Sequence, residues 1–409
     1  MERLVSALGA CVLLAIAFAC CPRALRSHAR LRTVGGGLVV TVALAVLVLL
    51  TPVRWLFVWA NDVVERLLTF SQAGAEFVFG PLVDVKNFGF VFAFQVLPTI
   101  VFFSALMSLA YHVGLMPWVV RQLGRLLSRA LGVSGVESLS TVADIFVGQT
   151  EAPLVIKPYL DALTTSVLMA CMTAGFATTA GGVMAAYVMM LKDLIPGIAG
   201  HLIACSVLAA PASLVIAKLM LPEDQTSAAA DIDRLELPPA ASGVLDAITM
   251  GTSDGLKLAA NVGAMLISFL ALTALVDFLL GAVVPGLSLL RVLSTLFWPL
   301  AWLMGVAQED VTKLAGLLGQ KTVMNEFVAY STMAKELAGD PAWLSERTRV
   351  IASYALCGFA NFGSIGIQIG GYAALAPSRR ADLGRLAPRA MLGGLLTTCL
   401  VACIAGIFT

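Results

Sequence analysis

Val147-Gly148-Gln149-Thr150-Glu151-Ala152-Pro153 is the stretch on which the reading of the fold turns. An ionised Glu inside hydrocarbon costs roughly 2.5–3.5 kcal/mol on insertion scales, so one placed there is a functional candidate. The apolar arms on either side, Ser134–Val147 and Pro153–Leu160, are each too short for a bilayer core that needs about 20 helical residues. A Gly before the polar triplet and a Pro after it are turn chemistry. Together these predict a re-entrant hairpin whose polar tip lies at mid-membrane. Irregular backbone at that depth is tolerated only against protein or a wet cavity. Gln149, Thr150 and Glu151 are therefore expected to line a solute site. A turn that merely joins two helices would not need a carboxylate.

The remainder of the chain fits a membrane interior. Of 409 residues, 59% are hydrophobic and 12% charged, against about 25% charged in soluble domains. A net charge of +1 offers no basic face for nucleic acid. The eight cysteines lie in apolar segments without paired Cys-x-x-Cys spacing, so they read as buried thiols. The three histidines (His28, His112 and His201) form no metal pattern. Neither a nucleophile–base pair nor a Gly-x-Ser-x-Gly elbow supports an intramembrane enzyme. Leu4–Cys20 has the length of a signal-peptide core, but Arg23, Arg26, Arg30 and Arg32 follow it rather than precede it. A first transmembrane helix is the better reading.

Apolar spans are expected at Leu4–Cys20, Gly37–Trp59, Phe88–Met116, Thr164–Leu191, Ala199–Leu221, Leu256–Leu280, Val350–Ala373 and Ala390–Ile407. Arginine clusters follow the first, third and seventh spans, all of one parity, which predicts them in the cytoplasm and both termini outside, in the periplasm if the cell is Gram-negative. The loop Pro222–Pro239 is then a cytoplasmic, flexible connector. Val119–Leu131 puts Arg121, Arg125 and Arg129 on one helical face, as in a helix lying in the interface. Asn61–Phe70 and Leu289–Met304 are expected to be similar, the latter anchored by Trp298 and Trp302.

The second half repeats the first. Met324-Asn325-Glu326-Phe327 is again a polar tip with a lone carboxylate, between arms Val311–Val323 and Phe327–Leu337. Gly-Phe-Ala recurs after each tip, at 175–177 and 358–360, each followed by a polar residue. Small residues there suit close helix packing. Asn361 and Ser364 in an otherwise apolar span instead suit ligand contact. Interrupted segments at matching places in two halves point to a transporter site. Parity makes the repeats inverted, with the first hairpin entering from the cytoplasm and the second from outside.

Taken together, Gly-Gln-Thr-Glu-Ala-Pro-Leu at 148–154, Asn-Glu-Phe-Val-Ala-Tyr at 325–330 and Gly-Phe-Ala-Asn-Phe-Gly-Ser-Ile-Gly at 358–366 resemble the concentrative nucleoside transporters. The likeness runs from about residue 89 to the C-terminus. It implies an all-α integral membrane protein of about eight transmembrane helices and two re-entrant hairpins, with scaffold and mobile transport subdomains, assembled as a homotrimer. It implies cation-coupled nucleoside uptake and no other cofactor. By resemblance the base falls to Gln149, Thr150, Glu151 and Val183, and the ribose to Glu326, Phe359, Asn361 and Ser364, with Asn325 beside them. A sodium site maps to Asp144, Val147, Thr178 and Thr179. Asp144 stands where sodium-coupled relatives commonly carry Asn, so either Na+ or H+ is open as the coupling ion, with Na+ favoured. Lys157 and Lys321, one arm away from the tips, are candidates for screening the two carboxylates. The chain divides into 1–87 (N-terminal helices), 88–195 (first repeat, with the nucleoside-recognition gate), 196–245 (fifth span and loop) and 246–409 (second repeat and C-terminal helix). A nucleoside channel or sensor is the alternative; paired inverted hairpins favour alternating access.

If both tip carboxylates hold substrate, Glu151→Gln and Glu326→Gln each abolish most nucleoside uptake while the protein still reaches the membrane. Loss of a hydrogen bond to a charged group corresponds to about 1.5–3 kcal/mol, or roughly ten- to a hundredfold in affinity. Uptake by either variant near that of the parent chain contradicts the assignment.

Overall fold

Residues 1–51, 54–224 and 241–409 are described by the structure, a computed structural model. Helices joined by short turns make up the described chain, with no strand among the described residues. The first six are α1 (Glu2–Ala19), α2 (Leu31–Leu50), α3 (Arg54–Phe79), α4 (Val85–Phe88), α5 (Phe92–His112) and α6 (Leu115–Leu131). The expected second span therefore stops at Leu50, short of Trp59, immediately before Thr51-Pro52, where proline cannot supply a helical amide. The amphipathic piece expected at Asn61–Phe70 is the middle of the longer α3. In α6, Val120, Leu127 and Leu131 are buried and the arginines lie on the other face, as the spacing predicted.

The first hairpin is α7 (Gly135–Asp144) and α8 (Ala152–Val155), continued by a tight 3-10 turn over Lys157–Ala162. Its first arm starts on a capping box: the Ser134 hydroxyl accepts from the Glu137 amide, and the Glu137 carboxylate accepts from the Ser134 amide at 2.7 Å. The Glu137 carboxylate also pairs with buried Lys218 at 2.8 Å, tying the arm to the next long helix. The second arm is shorter and less regular than its apolar run suggests, because Pro153 and Pro158 each remove a backbone donor.

Next come α9 (Thr165–Ala177), α10 (Gly181–Leu191) and α11 (Ile198–Met220). The fourth span, expected to be continuous, is broken at Thr178-Thr179-Ala180. After residues 225–240, which hold most of the expected connector and lie outside the described residues, the second half begins with the 40-residue α12 (Val244–Val283). This helix starts twelve residues before the apolar run that marked it. α13 (Leu289–Leu303) follows, with Trp298 and Trp302 stacked at 6.5 Å. The second hairpin is α14 (Val311–Val323) and α15 (Glu326–Gly339), close to the arms read from sequence. The seventh span is also broken, into α16 (Glu346–Leu356) and α17 (Phe362–Leu375), and α18 (Arg380–Phe408) closes the chain.

Among the described residues, seven segments are long and apolar enough to cross a bilayer, the broken α9–α10 pair counting as one. The α16–α17 pair makes the eighth path. Burial sorts them. Most residues of α11 and α18 are inside the protein, whereas the most apolar stretch of α12 has none of its residues buried within the chain. Helix α5 stands between α12 and α10: Ser104 meets the position a Cβ would take at Gly255 of α12 on one side and at Gly182 of α10 on the other. Small residues let these backbones approach where lipid provides no hydrophobic drive.

Candidate functional site

Both hairpin tips and both helix breaks meet at one place. The first tip rests on the first break. The Gly181 amide, opening α10, donates to the Phe146 carbonyl at 2.9 Å. Gly148 turns the tip with φ +89°, and a Cβ on it would stand 2.7 Å from that of Ala180. The second break crosses the first. The Gly358 amide donates to Thr179 Oγ1 at 2.8 Å, and a Cβ on Gly358 would lie 2.6 Å from the Ala177 carbonyl oxygen. Gly358 has φ +91°, a conformation open to glycine at little strain.

The second tip is organised around Glu326. Its Oε1 accepts from the Tyr187 hydroxyl at 3.0 Å and its Oε2 from Asn361 Nδ2 at 2.9 Å. Tyr187 belongs to the first half and Asn361 to the second, so this carboxylate joins them. Asn325 and Asn361 are also helix N-caps. Asn325 Oδ1 accepts from the Val328 amide and Asn361 Oδ1 from the Ser364 amide, which satisfies amides that a helix leaves free at its start. The two asparagines marked from sequence thus hold α15 and α17 in place. Phe359 and Ser364 are buried alongside.

The first tip differs in character. Thr150 and Glu151 are exposed, whereas Gln149 is buried with Oε1 lacking a partner. Val183 is buried in the first turn of α10. Gln149, Asp144 and Gln368 converge on Gly175: a Cβ there would stand 2.9 Å from Gln149 Cβ, 3.3 Å from Asp144 Oδ1 and 2.7 Å from Gln368 Nε2. Gln368, on α17, donates to the Met172 carbonyl at 2.9 Å. The halves therefore exchange partners: α10 of the first serves the second tip, and α17 of the second serves the first.

Asp144 ends α7 and is buried, with Oδ2 unpartnered, so it does not cap the arm. Thr178 and Thr179 are buried at the end of α9, and Val147 is half-buried near the tip. Asp144 leaves a buried carboxylate oxygen without a donor, and Val147, Thr178 and Thr179 offer carbonyl and hydroxyl oxygens, the donor types that suit a hard monovalent cation. By donor type these residues fit a sodium ion. No group of three or more His, Cys, Asp or Glu side chains that could hold a metal occurs among the described residues; a sodium site of hydroxyls and carbonyls would not form one.

Sequence reasoning marked the tips and missed two supports. Tyr187 and Gln368 are single polar-tipped side chains in apolar helices, and that singularity was their only signal. Lys321 does not screen a tip carboxylate by contact; its ammonium bonds to α16 and α18. Lys157 is exposed on the outer side of its arm.

The whole chain matches known transporters. Residues 8–82 match the family described as the Na+ dependent nucleoside transporter N-terminus, 93–194 match nucleoside recognition, and 201–406 match the Na+ dependent nucleoside transporter C-terminus. An uncharacterized transporter of Haemophilus influenzae is 44% identical over all of this chain and 98% of its own. The chain belongs to the concentrative nucleoside transporter family. Sodium/nucleoside cotransporter 1 of Rattus norvegicus is 41% identical over 99% of the chain, which spans 64% of that longer protein. The fold matches CNTnw in an inward-facing substrate-bound state, with TM-score 0.92 and 41% identity over 100% of this chain and 98% of the other. An outward-facing state of a CNTnw variant scores the same, 0.92, over the same shares of the two chains. This is a family of membrane transporters and not of enzymes.

Gly358→Ala tests the crossing. The substitution forces an L residue to positive φ, at about 1–2 kcal/mol, and drives a methyl into the Ala177 carbonyl. The variant is expected to lose nucleoside binding and to melt several degrees lower in detergent. Gly384→Ala, at a position with nothing within 4 Å of a new Cβ, serves as the control. Equal binding by both variants contradicts the crossing.

Proposed function

We propose that this transporter imports nucleosides across the bacterial inner membrane by coupling to a cation gradient. The observation that carries the reading is the meeting of two hairpin tips, each with a lone carboxylate, with two helix breaks in a membrane protein. A nucleoside is uncharged, with a flat base and several hydroxyls. At the first tip, Gln149 and Glu151 offer hydrogen-bonding groups for base edges, with Thr150 and Val183 beside them. At the second, Glu326 can accept from two ribose hydroxyls, with Asn325, Asn361, Ser364 and Phe359 around it. A site built for hydroxyls rejects analogues lacking them, because its own polar groups are left unpaired.

Sodium is the coupling ion in this reading, held by Asp144, Val147, Thr178 and Thr179. Its charge would compensate a carboxylate that otherwise has no partner. If sodium does not bind, Asp144 is the group able to carry a proton instead. The placement of arginines supports a reading with both termini in the periplasm. The apolar outer surface of α12 suits assembly with further copies, as in a homotrimer. A passive nucleoside channel is the second reading, and uphill accumulation separates the two.

Uptake of labelled uridine into proteoliposomes, with sodium and pH gradients imposed separately, tests this proposal. Accumulation above the external concentration under a sodium gradient, with little dependence on pH, is expected. Asp144→Asn keeps sodium-driven accumulation, with altered sodium affinity. Accumulation that ignores sodium and follows a proton gradient would transfer coupling to the Asp144 proton. Equilibration without accumulation would make the protein a channel, and an Asp144→Asn variant unchanged in sodium affinity and pH profile would remove Asp144 from the ion site.

A further inference from the structure

Lys321 is fully buried in a protein interior where an unpaired charge is costly. Its ammonium donates to the Ala355 carbonyl at 2.8 Å, the Cys357 carbonyl at 2.9 Å and Thr398 Oγ1 at 3.0 Å. A lysine has three donors and no acceptor, so each proton has one neutral oxygen. Two of those oxygens belong to the last turn and cap of α16, where a helix leaves carbonyls free and its dipole favours positive charge. Backbone carbonyls at a broken helix together with a hydroxyl are also the oxygen set that transporters offer to a coupling cation.

The first half contains the counterpart. Arm α7 stands to broken span α9–α10 as arm α14 stands to broken span α16–α17. In the first half the arm contributes Asp144, with an orphaned oxygen and with Oδ1 3.3 Å from where a Cβ on Gly175, in the last turn of α9, would stand. In the second half the arm contributes an amine, Lys321, to the end of α16. One half therefore presents an anionic group that a cation from solution can satisfy, and the other carries its positive charge on a side chain.

We propose that Lys321 is a tethered cation. Its ammonium fills the second half's counterpart of the ion site, so a nucleoside is coupled to a single free cation. The same bonds make it a positioning residue: through the Cys357 carbonyl it holds the residue before Gly358, and so the strand of chain that brings Asn361 to Glu326. The inference rests on the reading that the free coupling cation binds beside Asp144.

Proteoliposomes that report labelled sodium and labelled uridine together test it. The parent chain is expected to move one sodium per uridine, with a Hill coefficient for sodium of about one. Lys321→Met leaves two carbonyls and a hydroxyl without their charge. Its uptake at moderate sodium is expected to fall about ten- to a hundredfold, the loss of charged hydrogen bonds. High sodium then restores it, with the Hill coefficient and the flux ratio rising toward two. Lys321→Ala is expected to recover uptake when ethylammonium is added at fixed sodium, whereas ethanol of the same size has no effect. Lys321→Met with the parent's flux ratio and sodium dependence overturns the proposal. So does a loss that neither sodium nor ethylammonium reverses, or failure of both variants to insert, since each makes Lys321 a strut only. If parent uptake ignores sodium altogether, the Asp144 sodium reading fails by itself, and ethylammonium rescue of Lys321→Ala still decides the role of the amine.

Discussion

Broken helices inside a membrane protein leave backbone amides and carbonyls that water cannot reach, and the arrangement of this transporter follows from satisfying them. Several of these ends have a named partner. Asn325 and Asn361 cap the starts of α15 and α17. The first amide of α10 is taken by the Phe146 carbonyl of the first tip. The carbonyls closing α16 receive the Lys321 ammonium. Thr179 accepts the Gly358 amide where the two breaks cross. A buried polar group without a partner costs about 1–3 kcal/mol, so these contacts bind the two halves into one unit rather than decorating it.

The exchange of partners has a chemical consequence. At the second tip the polar groups already bond to one another through Tyr187, Glu326 and Asn361. A ligand there must share the carboxylate with donors already in place, which sets its orientation closely. At the first tip Gln149 Oε1 and Asp144 Oδ2 are buried and free. That side has unspent acceptors, one on an amide and one on a carboxylate, within the same cluster around Gly175. A polar ligand and a cation could each answer a need that the protein does not meet by itself.

Much of this was legible in the sequence. Lone glutamates in short apolar arms, with Gly before and Pro after the first, located both tips to within a few residues. Gly-Phe-Ala recurs where both spans break, but the repeat was read as helix packing and ligand contact and hydropathy drew each span as continuous, because a break of three to five residues does not lower the mean of a long apolar window. The early start of α12 was hidden for the opposite reason: Asp246, Thr249, Thr252, Ser253 and Asp254 dilute its first turns. Tyr187 and Gln368 were illegible because a single polar tip in an apolar helix does not state which distant element it meets. Lys321 was visible as a charge near a carboxylate, but only the fold shows that helix carbonyls, and not Glu326, take its protons.

The central claim is that one nucleoside bridges the two halves, base to the first tip and ribose to the second. Calorimetric binding of uridine, 3′-deoxyuridine and uracil to the purified transporter tests this most directly. The account predicts that 3′-deoxyuridine binds roughly ten- to a hundredfold more weakly than uridine, the value of one hydrogen bond to a charged acceptor, and that uracil binds more weakly still. Equal affinity for uracil and uridine would contradict it, since the second tip would then contribute nothing to recognition.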